Sequence, residues 1–398
     1  MNVCMKPSKA KGTVQAPPSK SMAHRLLMGA GLAHGISVIQ NLAPSQDILA
    51  TIDCLRALGA TIQLDGTTAT VTGTNPKAVQ NQTLPCRESG STLRFMIPLC
   101  LLSSNTNTLN GSDRLMERPQ SVYEDLCRQK KWQFIKQDNQ ITVAGPLCGG
   151  DFTLAGNVSS QFITGLLYAL PLTGQDSTIT LTGNIESRSY IDLTLQALNQ
   201  FGIDAVWLND TTLQVKAGAY QPADLTVEGD YSNAAFLDGL GLIGGEVTVT
   251  GLDPRSLQGD KVYQRDFAAL KAGCPTISLA NCPDSGPIYM ALAAAFHGCV
   301  LTDTARLKIK ESDRGQAMAE ELKKFGIPVT VEENRITVHP APLTAPTKAL
   351  CGHNDHRIVM ALSLLCTLVG GEIEGADAVS KSYPDYFEQL RSLGIIIK

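Results

Sequence analysis

The segment PPSKSMAHR, residues 17–25, places Lys20, Ser21, His24 and Arg25 in the opening turns of a helix that Ser19 or Ser21 caps. A helix N-terminus is the positive pole of the backbone dipole and normally gathers acidic residues. Cations stacked there are unfavourable until an anion arrives, when free N–H groups, dipole and side-chain charge all act on it together. Comparable helix entries recur along the chain. One set carries Glu88, Gly90 and Arg94; Ser159, Ser160 and Gln161; Asp284; and Asp355, His356 and Arg357. Another carries Arg114, Glu117 and Arg118; Ser187, Arg188 and Tyr190; Lys310, Glu311, Asp313 and Arg314; and Lys381. Arg suits a bidentate grip on phosphate or carboxylate, and Lys supplies a compact charge that follows a moving group. The expected ligand is small and carries several negative charges, supplied to the cations from outside the protein. Asp284 and Glu311 stand out because ionised carboxylates weaken anion binding, so their place among cations points to proton transfer.

Each feature is ordinary by itself. PSKS reads as a capped helix with a solvated lysine, KIKESDRG as a surface helix start, and His353-x-x-His356 is a poor metal site without nearby ligands. The bland readings weaken jointly, because equivalent positions would have to acquire this chemistry independently.

Equivalence follows from an internal repeat. A helix, a glycine, a strand, a polar turn and a second strand recur around Gly59, Lys131, Gly202, Gly273, Gly326 and Gly394, at spacings of 72, 71, 71, 53 and 68 residues. In phase with it runs an apolar helix opened by a polar cluster. Its copies align at Ser21, Ser91, Ser160, Ser232, Ser285 and His356, with spacings of 70, 69, 72, 53 and 71. With a further short strand, each unit of about 70 residues reads strand, helix, strand, helix, strand, strand. The expectation is an α/β protein of six βαβαββ repeats, three per domain. The last copy stops at GIIIK, and the N-terminal AKGTVQAP has the pattern to supply its missing strand. The chain then starts in one domain, crosses near Pro17-Pro18 and returns near Glu228-Gly229. That gives a first domain of 18–228 and a second of 1–17 plus 229–398, hinged at the two crossovers.

Bulk properties fit. At 398 residues, 18% charged and 43% hydrophobic, with a formal net charge of −4, the chain is globular rather than disordered or nucleic-acid-coating. Eleven cysteines without a C-x-x-C pair argue against a disulfide framework or zinc ribbon and for reduced thiols in a cytoplasm. Neither a secretion signal nor a membrane anchor is expected.

The motifs PPSKSMAHR, ESGSTLR, DRLMERP, NVSSQF, SRSYIDLT, EGDYSNAAF, KIKESDR, NDHRIVMAL and SKSYPDYFEQL, in order along the whole length, resemble the EPSP synthase family of enolpyruvyl transferases. The resemblance implies a two-domain inside-out α/β barrel. It also implies transfer of the enolpyruvyl group of phosphoenolpyruvate to the 5-hydroxyl of shikimate 3-phosphate, on the route to chorismate and the aromatic amino acids. It implies no metal or organic cofactor and a cytoplasmic monomer without nucleic-acid or membrane partners. Carried over by position, Ser21, Arg25, Ser159, Ser160, Gln161, Ser187 and Lys310 hold shikimate 3-phosphate, with Tyr190 close by. Gly90, Arg94, Arg114, Arg314, Arg357 and Lys381 hold phosphoenolpyruvate, and Lys20 touches both. Asp284 is the base for the 5-hydroxyl, and Glu311 delivers a proton to the phosphoenolpyruvate methylene. Two departures stand out: Arg87-Glu88 beside Gly90, where many members have Gly-Asn, and Arg306, where some have Asn. The sister family acting on UDP-N-acetylglucosamine usually opens its first helix with Lys-Asn and has a reactive loop Cys. Here the helix opens with Ser-Lys-Ser, and the loop from Arg114 to Pro119 has no Cys. A non-catalytic anion binder on the same frame has no use for Asp284 and Glu311.

Overall fold

Strand pairing follows the repeat. The computed structural model describes residues 1–78 and 81–398. Two compact units emerge: Lys20–Val227, and Met1–Ser19 together with Glu228–Lys398.

The Lys20–Val227 unit contains three four-stranded sheets of one design. In the third copy, Asp151–Ala155 pairs parallel with Ser177–Thr182, which pairs antiparallel with Thr212–Val215, the inner strand of a hairpin with Ala205–Trp207. The second copy repeats this with Thr83–Pro85, Asn107–Asn110, Gln140–Ala144 and Gln133–Gln137. In the first copy the parallel partner of Ile36–Gln40 is Asp224–Thr226, from the far end of the same unit. Helices cross between the parallel strands, as a parallel pair requires.

The other unit departs from the regular pattern in two places. Thr276–Ser278, Cys299–Thr302, Arg335–Val338 and Val329–Val331 form one complete sheet. Thr276–Ser278 is therefore the opening strand of the fifth copy, whereas the sequence pattern assigns TISLA to the fourth. The fourth copy has no hairpin, which accounts for the spacing of 53 residues in both repeat series. Its strand Glu246–Thr250 pairs parallel with Lys11–Gln15. The N-terminal KGTVQ strand thus completes the fourth copy, not the last. The last copy, Leu350–Cys351 beside Gly371–Glu374, is completed by Val3–Met5 instead.

Each unit has three helices apolar on nearly every face. Met22 through Leu32 are all buried in the Lys20–Leu32 helix, as is every residue of the Gly286–Ala295 helix up to Ala294. At roughly 1.5–3 kcal/mol for each large apolar side chain removed from water, these helices must lie inside. In the first unit the Gly90–Cys100 and Ser160–Ala169 helices approach closely because Gly165 has no Cβ; one there would collide with the Arg94 carbonyl and the Tyr123 hydroxyl. In the second, the Tyr231–Leu242, Gly286–Ala295 and His356–Val369 helices pack on one another. No helix among the described residues is long and apolar enough to cross a membrane.

At the crossovers the Ser19 amide donates to the Glu228 carbonyl at 2.7 Å and the Asp230 amide to the Pro17 carbonyl at 2.8 Å. Gln258 braces the returning strand, donating to the Gly229 carbonyl and the Glu228 carboxylate while accepting from the Tyr231 amide.

Candidate active site

In the Lys20–Val227 unit the helix entries are tied together by their own side chains. Lys20 is not left unbalanced, contrary to the expectation that its counter-charge comes from outside. Its ammonium meets Asp47 at 2.8 Å, supplied by the first turn of the Gln46–Ala57 helix. Arg25 is buried and largely committed, donating to the carbonyls of Ser21 at 2.7 Å and Tyr190 at 2.8 Å and to Thr194 at 3.0 Å. Arg94, 2% exposed, donates to Gln161 Oε1 at 2.6 Å and to the Pro119 carbonyl at 3.0 Å, with its guanidinium over the Phe162 ring. Gln161 donates onward to Ser91 at 2.9 Å. Ser159 caps the Ser160–Ala169 helix through the Gln161 amide. Ser187 is buried with a left-handed backbone, φ 55°, immediately before the Arg188–Gln200 helix that carries Tyr190.

At the Gly90 entry the two arginines of DRLMERP are placed differently. Arg114 is half-exposed and faces Glu117 at 3.2 Å. Arg118, one turn on, is buried, and its guanidinium lies over Gly90: a Cβ there would come within 2.8 Å of three of its atoms. Arg118 thus packs against this helix entry. Both belong to DRLMERP, and only the burial of one face of the Asp113–Glu117 turn separates them. Arg87 does not point at the Gly90 turn; it reaches the Gln46–Ala57 helix, meeting Asp53 and Gln46 at 2.6 Å each.

In the other unit the charged residues converge on Arg314. Its guanidinium, 1% exposed, meets Asp284 Oδ1 at 2.6 Å, Glu311 Oε2 at 2.8 Å and Asp355 Oδ2 at 2.8 Å. Asp284 also meets Lys310 at 3.2 Å and lies 3.5 Å from Arg357. The two carboxylates expected to move protons are therefore held by one guanidinium. Arg357 is buried, and its Nε and Nη1 have no hydrogen-bond partner among the described residues. A guanidinium desolvated in this way is costly unless an anion meets it. Lys381 is buried and donates to the Asn354 carbonyl at 2.6 Å. Burial draws Lys310 down to about 8, Arg314 and Arg306 pulling the same way while Asp284 and Glu311 oppose. Arg306 is buried and reaches the Ala280 carbonyl.

Fold and site define a class: two-unit α/β repeat proteins whose helix entries concentrate cations, with two carboxylates set among them. The pattern of the EPSP synthase (3-phosphoshikimate 1-carboxyvinyltransferase) family matches residues 4–390. A 3-phosphoshikimate 1-carboxyvinyltransferase of Clostridium kluyveri is 38% identical over 98% of this chain and 97% of its own length. One of Clostridium perfringens is 36% identical over 100% and 99%. This chain belongs to the EPSP synthase family. Among solved structures, EPSP synthase from Acinetobacter baumannii shares the fold with a TM-score of 0.79, 21% identity and coverage of 100% and 99%. The enolpyruvyl transferase NikO from Streptomyces tendae does so with 0.78, 15%, and 100% and 98%.

Proposed function

We propose that this protein transfers the enolpyruvyl group of phosphoenolpyruvate to the 5-hydroxyl of shikimate 3-phosphate, releasing phosphate. Family membership supports the reaction. The observation that carries the residue roles is the sharing of Arg314 by Asp284 and Glu311 among Lys310 and Arg357. Asp284 takes the 5-hydroxyl proton as that oxygen bonds to C2 of phosphoenolpyruvate. Glu311 gives a proton to C3, turning the methylene into a methyl group in a tetrahedral adduct. Loss of a proton from that methyl group and departure of phosphate from C2 restore the double bond. Each proton transfer contributes about 10²–10⁴ in rate.

Shikimate 3-phosphate is held by Ser21, Arg25, Ser159, Ser160, Gln161, Ser187 and Lys310, with Tyr190 alongside Arg25. Phosphoenolpyruvate is held at the Gly90 helix entry and by Arg114, Arg357 and Lys381, with Arg118 packed over Gly90 as support; Lys20 serves both. Arg94 acts through Gln161, and Arg314 through the three carboxylates it orients. The enzyme works as a monomer in the cytoplasm, a compartment that suits its eleven free thiols.

Incubation with phosphoenolpyruvate and either shikimate 3-phosphate or UDP-N-acetylglucosamine, followed by measurement of inorganic phosphate, tests this. Release is expected with shikimate 3-phosphate alone. Release only with the nucleotide sugar, or with neither acceptor, overturns the proposal.

A further inference from the structure

Glu321, on the Arg314–Lys324 helix, is 1% exposed and has no part in the scheme above. Its carboxylate is met by the Cys351 amide at 2.9 Å, His353 Nε2 at 3.0 Å and Lys324 Nζ at 2.9 Å. Two of these donors belong to one loop, residues 351–355.

That loop follows an unfavourable course. His353 and Asn354 are both left-handed, with φ of 49° and 50°, a conformation that side-chain-bearing residues avoid and that Asn tolerates best. Gly352 before them has no room for a Cβ, hemmed in by Val359 and the carbonyls of Glu374 and Gly375. The course has a product. It turns the Asn354 carbonyl onto Lys381 at 2.6 Å and delivers Asp355 as the cap of the His356–Val369 helix. Asp355 then receives Arg314 and the Arg357 amide. The placement of Lys381 and Arg357 thus depends on a backbone path that is not the chain's own preference, and Glu321 grips that path at its start.

We propose that Glu321 is a positioning residue for phosphoenolpyruvate binding, holding the 351–355 loop through Cys351 and His353 so that Lys381 and Arg357 stand correctly. The inference rests on reading Lys381 and Arg357 as phosphoenolpyruvate ligands. Wild-type phosphate release tests that reading, whereas the variants below are judged only against wild type.

Three variants separate positioning from folding. Glu321→Gln removes the charge at constant shape. His353→Asn keeps the left-handed tolerance but has too short an arm to reach Glu321, and His353→Gln restores reach and a donor. Loss of one charge-assisted hydrogen bond from a binding loop corresponds to about a tenfold change. Glu321→Gln and His353→Asn should raise KM for phosphoenolpyruvate by that order, leave KM for shikimate 3-phosphate within about twofold, and His353→Gln should recover most of the loss. An unchanged phosphoenolpyruvate KM with kcat falling in step with the folded fraction overturns the proposal, as does an equal rise in both KM values. If Glu321→Gln does not fold, the His353 pair decides by the same criteria.

Discussion

Lys310 sits where binding and proton chemistry meet. Its neighbours pull in both directions, and burial prevails, drawing its ammonium down to about 8. The cation is therefore intact below that pH and disappears above it. As a holder of the shikimate 3-phosphate dianion, Lys310 should impose a high-pH limb on kcat/KM for that substrate, steepening toward tenfold per pH unit above about pH 8. Lys310→Arg, which stays charged throughout, should abolish the limb even if it lowers the plateau. A limb that persists unchanged in Lys310→Arg would remove Lys310 as its origin. At this scale the sequence shows which loops hold the chemistry but not which way each side chain turns. Arg114 and Arg118 lie in one short motif, and their separation depends on burial of one face of a turn. Glu321 gives no local signal, because a glutamate on a mid-length amphipathic helix reads as surface until the 351–355 loop is seen folding back onto it.

Helix entries are also coupled to one another through the interior. On the Lys20–Leu32 helix, buried His24 meets Thr51 at 2.8 Å; Thr51 meets Thr92 at 2.7 Å, and Thr92 meets Ser89 at 2.7 Å. Ser89 caps the Gly90–Cys100 helix, so a polar chain crosses the apolar interior from one entry to the next. Burial, and secondarily Lys20 and Arg25, hold His24 well below its usual 6.5, leaving it neutral in the folded protein. Below that pH the unfolded chain takes up a proton that the folded chain refuses, so stability falls as pH falls, by at most about 1.4 kcal/mol per pH unit. His24→Gln should lower stability at pH 7 yet flatten its decline toward pH 5, as read from urea midpoints of both proteins at the two pH values. Parallel declines would show that His24 does not drive acid sensitivity. The elements themselves were largely legible, since repeat periodicity and apolar helices survive in composition. Strand ownership was not: TISLA and KGTVQ have strand patterns that are silent about their partner, and whether a strand pairs with the next one along, as TISLA does, or with one more than 200 residues away, as KGTVQ does, is decided by which sheet edge lies open.

The proposed ligands are drawn from two separately built units. Lys20, Arg25, Ser159, Ser160 and Gln161 belong to Lys20–Val227, while Asp284, Lys310, Arg357 and Lys381 belong to the other. Within each, the site side chains are already braced: Lys20 by Asp47, Arg94 by Gln161, Arg314 by three carboxylates. Only two chain crossings, tied by the Ser19–Glu228 and Pro17–Asp230 hydrogen bonds, connect the units covalently. On the proposed roles, the substrates take ligands from both units. The energy available is the charge of the substrates, which gains strength as water leaves. Shikimate 3-phosphate should accordingly reduce the radius of gyration in small-angle scattering, with phosphoenolpyruvate alone giving less. Raised salt should weaken the compaction together with binding, since the attraction is between charges. A radius unchanged at saturating shikimate 3-phosphate, with binding verified by calorimetry in the same buffer, would overturn substrate-driven compaction.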